Sequence, residues 1–174
     1  ARIGFLLVSL ISFMNAMVRT GGLFAIIPVI ASQRLGIGVG RMGFAMMVGS
    51  FAGLAASYPA GAVADRFGRK MVIVPATVIT GASMLLFCFG TSYAWFMAAC
   101  IVWSVAISVG GSAPAAYAAD TAPAGMNAAA MSTYRMMADA GYVIGPIVLG
   151  LIVDAGGPVL ALVLGSVLLV VTGA

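Results

Sequence analysis

Histidine and glutamate are absent from this chain, and its acidic residues are four aspartates. Without histidine it lacks the side chain most suited to proton transfer near neutral pH and the commonest zinc ligand. No nucleotide-cradling glycine loop and no metal-ligand cluster takes its place, so neither an enzyme nor a metal or cofactor is expected. The two cysteines, Cys88 and Cys100, lie in apolar runs without ligand spacing and read as core- or lipid-facing thiols. Charge itself is scarce: 7% of residues are charged and 63% are hydrophobic, where a soluble domain carries about 25% charge. So little charge cannot cover a surface facing water, and the implied solvent is a lipid bilayer. The formal charge of +4 then reflects basic residues kept on the cytoplasmic side, not a nucleic-acid partner.

What is present is long apolar runs. Crossing ~30 Å of hydrocarbon takes roughly 20 such residues in a helix. Residues 3–33 hold one charge, Arg19, and end in the polar turn SQRLGIGVGR; they are too long for a signal peptide's apolar region. Residues 42–64 are an uncharged second span. From Met71 to Ala119 there is no charge, which is too long for one crossing. GTSY at 90–93 divides it into a third and a fourth, with Tyr93 and Trp95 suited to the interface. After the turn DTAPAGMN, residues 128–153 form a fifth span carrying Arg135 and Asp139. DAGGP at 154–158 then leads to a sixth at 159–173, short enough to suggest a chain cut near its native end. The runs are continuous rather than alternating, so an all-α protein of six transmembrane helices is expected, not a barrel.

The scarce charge is concentrated at GAVADRFGRK, where Asp65, Arg66, Arg69 and Lys70 fall within six positions. GAVADRFG at 61–68 and GLIVDAGG at 150–157 share Gly-x-x-x-Asp-x-x-Gly, 89 residues apart. Each closes the middle helix of a group of three. Three is odd, so the copies emerge on opposite faces, the trace of a 3+3 inverted repeat with units at about 1–90 and 91–174. Only the first copy is basic. The positive-inside rule therefore puts it, Arg2 and both termini in the cytoplasm, with Arg34 and Arg41 outside. A plain topogenic loop would account for Arg66, Arg69 and Lys70, but not for Asp65, Gly61 and Gly68 at fixed distances. Gly61 suits close helix approach, Gly68 a sharp turn, and Asp65 the free N–H groups of a neighbouring helix start.

At these residues the chain resembles the major facilitator superfamily. Its signature between second and third helices, Gly-x-Leu-Ala-Asp-Arg-x-Gly-Arg-Lys, is met by Gly61, Ala64, Asp65, Arg66, Gly68, Arg69 and Lys70, with Val63 in place of Leu. Antiporter branches also carry Gly-x-x-x-Gly-Pro-x-x-Gly-Gly on the fifth helix. GYVIGPIVLG supplies Gly141, Gly145, Pro146 and Gly150, with Leu149 replacing the first paired glycine. Helix packing alone would also explain those small residues. The resemblance covers essentially the whole chain but only one six-helix half of a full member. It implies a secondary transporter of small molecules working by alternating access. Its partner is a second half, in the same native chain or as a homodimer, and the antiporter branch adds protons, efflux and an inner-membrane location. The loop motif points to the first half; the lack of an Arg between Lys70 and Arg135, where drug exporters carry one in that half, points to the second. It further implies that Asp120 pairs with Arg69, and Asp65 with a helix start of the other half, as a latch on the cytoplasmic side. A homodimeric carrier and a non-transporting assembly module remain the other readings.

Three ionisable residues lie inside spans, where a charge costs at least about 2.5–3.5 kcal/mol: Arg19, Arg135 and Asp139. Either Arg135 and Asp139 form a structural pair one helical turn apart, or Asp139 is a proton-coupling group with Arg135 or Arg19 as counter-charge. Asn15, Thr20, Ser112, Tyr134 and Tyr142 are candidates to line a cavity. Gly21, Gly22 and Pro28 would loosen the first span, and Gly110, Gly111 and Pro114 the fourth.

Overall fold

The computed structural model describes residues 2–68, 70–111, 113–122 and 125–173, and all its regular structure is helical. Five of its helices are long and apolar enough to cross a membrane: α1 Gly4–Arg34, α2 Val39–Phe67, α3 Met71–Cys88, α4 Tyr93–Asp120 and α5 Asn127–Gly173. Where six spans are expected from sequence, the fifth and sixth thus fall in one element. A straight helix of 47 residues would reach about 70 Å, over twice the hydrocarbon thickness. α5 is not straight: Gly157 has φ 82° and ψ 168°, outside helical space, which divides it into arms at 127–156 and 158–173.

Backbone chemistry sets the other boundaries. Pro28 has no N–H to donate, and α1 passes it with π-helical turns on either side, Gly22–Ile26 and Ile30–Arg34. It stops at Gly36, whose φ of 60° only glycine adopts readily, and the Ile37 N–H closes the turn onto Ala31 O at 2.8 Å. α2 runs through Asp65 and Arg66 before ending at Gly68, so the acidic residue and first arginine of the motif belong to a helix end, not a loop. Ser92 caps α4, its hydroxyl accepting from the Trp95 N–H at 3.3 Å.

Glycines fix the pairing and direction of the helices. A Cβ on Gly141 or Gly145 would collide with the carbonyl oxygens of Phe13 and Met17, and one on Gly21 with Leu149. The numbers rise together, so α1 and the first arm of α5 run parallel. The same holds for α2 and α4, where a Cβ on Gly49 would lie 2.8 Å from Cys100 O and one on Gly53 2.9 Å from Ser104 O. Against α3 the order reverses: a Cβ on Gly81 would lie 2.9 Å from Ser166 O, and one on Gly173 3.1 Å from Thr77 Cβ. The second arm is therefore antiparallel to α3. Without a hydrophobic force between helices in lipid, such close backbone approach is what holds them together.

Two clusters fill the interior. The larger gathers Ile26, Ile27, Ile30, Met84, Phe96 and Leu162 towards the end where α1 and α3 finish, with Phe87 edge-on to Phe96 at 5.7 Å. The smaller, Ala64, Val72, Ile73 and Ala113, sits at the end carrying the basic motif. Leu6, Phe51, Leu54, Leu151 and Val171 stand exposed on the outside, which hydrocarbon tolerates and water would not.

Candidate functional site

At the motif end, Asp65, Gly68, Tyr117 and Asp120 border one cavity of about 490 Å³, bringing together both aspartates that the resemblance assigned to a latch. The Arg66 guanidinium lies over the Phe67 ring at 5.6 Å. Arg69 and the Lys70 side chain fall outside the described residues, and with them the expected Asp120–Arg69 pair. Gly68 takes φ 93° and ψ 147°, backbone that is essentially glycine-only, so the sharp turn expected of it is there. Gly61 behaves otherwise: nothing lies within 4 Å of where its Cβ would stand, so it serves no close approach within this chain. Its repeat counterpart Gly150 is equally open. Within α2 it is Gly49 and Gly53, not Gly61, that meet α4.

The opposite end is tied by the two arginines expected outside. Arg34 Nη1 donates to Cys88 O at 3.3 Å, placing a cation at the C-terminus of α3. Arg41 lies over the Tyr93 ring at 5.9 Å, and the Tyr93 hydroxyl donates to Arg41 O at 3.0 Å.

Between the ends, Arg19 is exposed near the middle of α1 and lines two adjoining cavities. The smaller, about 120 Å³, includes Ser12, Asn15, Thr80, Tyr134 and Tyr142. Three of the polar residues expected there from sequence, Asn15, Tyr134 and Tyr142, do converge. Ser12 donates to the Tyr134 hydroxyl at 2.8 Å, joining α1 to α5, and Asn15 Nδ2 donates to Ile11 O at 3.0 Å. Thr20 is not in either wall; its hydroxyl donates to Ala16 O at 2.7 Å. Ser112 lies outside the described residues. The larger cavity, about 530 Å³, has Trp103, Ser104 and Ser108 from α4 facing Ser50 and Ser57 from α2. The sequence did carry a signal for the α4 group, since Ser104 and Ser108 are one turn apart in an uncharged span.

From sequence, Arg135 and Asp139 read either as a structural pair or as a coupling group with its counter-charge. Both side chains are exposed, and no hydrogen bond or ion pair joins them. Nor does Arg19 lie level with Asp139. The register of Gly141 on Phe13 and Gly145 on Met17 sets Asp139 level with Ile11, about eight residues and roughly 12 Å along the axis from Arg19. Gly141 and Gly145 do pack as a small-residue face, against α1; Pro146 leaves the helix unbroken, the only non-helical backbone in α5 being at Gly157.

Compared with known families, the sequence matches the Major Facilitator Superfamily over residues 6–174. The chain belongs to this superfamily. No curated protein matches it in sequence. Superfamily members are transporters rather than enzymes, so the chain is a multi-pass membrane protein of the major facilitator type. Its surroundings are the lipid bilayer, and what it handles is a small molecule.

Proposed function

We propose that residues 1–174 are one six-helix half of a secondary transporter that works by alternating access, built as a 3+3 inverted repeat of units at about 1–90 and 91–174. The observation that carries this is the pair Gly68 and Gly157. They are 89 residues apart, equivalent in the two Gly-x-x-x-Asp-x-x-Gly copies, and share a glycine-only conformation, φ 93° and ψ 147° against φ 82° and ψ 168°. Gly68 ends α2 at the motif end, beside Tyr117 and Asp120. Gly157 ends the first arm of α5, which starts at the motif end and runs parallel to α1. In this reading the arms on either side of Gly157 are the fifth and sixth crossings, and the copies face opposite sides. Both termini and the basic motif are cytoplasmic, in an inner membrane.

The second six-helix half, in the same native chain or a second copy, supplies the facing wall of the Arg19 cavities. Asp120 with Arg69, and Asp65 with a helix start of the second half, form a cytoplasmic latch, the two aspartates sharing one cavity, with Arg66 and Lys70 fixing topology. A contact of this kind contributes only ~0–1 kcal/mol, small enough to open in each cycle. Gly141, Gly145 and Pro146 support the antiporter branch, and Asp139, exposed one residue from the cavity-lining Ala138, is the candidate for proton-coupled efflux.

Counterflow in proteoliposomes tests transport: the transporter containing this chain should exchange labelled substrate, while verified monomers of residues 1–174 should not. Asp139→Asn should abolish accumulation driven by a pH gradient and leave exchange intact. Unchanged pH-driven accumulation by a folded D139N protein would remove the coupling role.

A further inference from the structure

The walls of the two central cavities are one-sided in their chemistry. Arg19 borders both, and no aspartate stands among the residues lining either. Its guanidinium carries five donors with no acceptor, yet it makes no hydrogen bond or ion pair among the described residues. The larger cavity adds more donors without partners. Trp103 is 5% exposed, and its indole Nε1–H, which can only donate, is buried with nothing to receive it. The hydroxyls of Ser104 and Ser108 likewise make no hydrogen bond among the described residues, unlike those of Ser50 and Ser57 across the cavity, which donate to Met46 O at 2.9 Å and Leu54 O at 2.7 Å. Most serines and threonines of these helices donate to a backbone carbonyl, as Ser9, Thr20, Thr77 and Thr80 do, whereas this cavity holds one cation and three donors without partners among the described residues.

From this we infer that the transported molecule is a small organic oxyanion, held by Arg19 through its carboxylate or phosphate, with Trp103, Ser104 and Ser108 donating to the remaining oxygens. The planar guanidinium fork matches two oxygens of such a group. A mid-membrane cation with no fixed carboxylate nearby favours an anion in a way that water alone does not. A cationic substrate meets the opposite situation: Arg19 repels it, and the carboxylate of Asp139 lies roughly 12 Å away along the helix axis and borders neither cavity. A neutral substrate leaves the cation unpaired. The inference rests on the transporter reading above and adds the sign and functional group of what is carried.

The test is exchange in proteoliposomes of the intact transporter, using benzoate, malate and phenyl phosphate against benzamide, malamide and benzylamine. One or more of the three oxyanions should be exchanged and their neutral or cationic counterparts should not; whether malate or phenyl phosphate is preferred tells carboxylate from phosphate ester. Arg19→Gln should lower oxyanion exchange at least tenfold, Arg19→Lys should restore part of it, and Trp103→Phe should raise KM several-fold with kcat little changed. Should R19Q fail to fold, R19K and W103F decide: full activity with unchanged KM in both would overturn the assignment. Exchange of benzylamine or benzamide without any oxyanion would also overturn it while leaving the transporter reading intact. No exchange of any compound, with a folded protein, would instead count against both.

Discussion

Glycine does two different jobs in this chain, and single substitutions separate them. Gly145 lies where an added Cβ would meet the Met17 carbonyl oxygen, a backbone atom that cannot swing aside. Gly145→Ala should therefore lower stability by about 1–3 kcal/mol, read as a drop of several degrees in the thermal midpoint in detergent. Gly150, five residues on, faces open space. Gly150→Ala should leave the midpoint unchanged or raise it, since alanine is the better helix former by about 1 kcal/mol. Equal losses at the two sites would show that the α1–α5 register is wrong. Gly68 and Gly157 need freedom of conformation rather than space: no atom crowds either, and both have positive φ. Gly68→Ala and Gly157→Ala should each cost about 1–3 kcal/mol through backbone strain. A neutral result at either would mean that its turn is not formed as described.

At the scale of the element, the main departure from expectation is α5, a single helical run in which the turn at 154–158 tightens to one residue. DAGGP contains two glycines and a proline and reads as a loop. Only Gly157 leaves helical space, because proline at 158 is well tolerated where a helix restarts. The position of the second arm is directly testable. A Cβ on Gly173 would lie 3.1 Å from Thr77 Cβ, a few tenths of an ångström inside the ~3.5–4.5 Å Cβ spacing of a disulfide. Thr77→Cys with Gly173→Cys, in a background lacking Cys88 and Cys100, should cross-link on mild oxidation and run as a shifted band on a gel. Two reactive thiols that never cross-link would mean that 158–173 does not fold back along α3.

At the scale of the whole molecule, the two copies of Gly-x-x-x-Asp-x-x-Gly should reach opposite sides of the membrane. A membrane-impermeant thiol reagent added to intact cells should label Asp154→Cys and not Phe67→Cys, both exposed positions, and permeabilisation should expose the second. Labelling of both from one side would end the inverted-repeat account. The solvent, the helical class and the motif at 61–70 were all legible in the amino-acid order, because hydropathy and charge are properties of a segment by itself. So was the candidacy of Arg19, since a mid-span cation is rare wherever its helix packs. What only the tertiary structure decided is which faces meet. It left Arg135 and Asp139 unjoined, left the Gly61 position open and gathered Arg19 with Trp103, Ser104 and Ser108. Those outcomes depend on the rotation and register of helices far apart in the chain, set by backbone contacts at Gly49, Gly53, Gly141 and Gly145, and no local pattern encodes them.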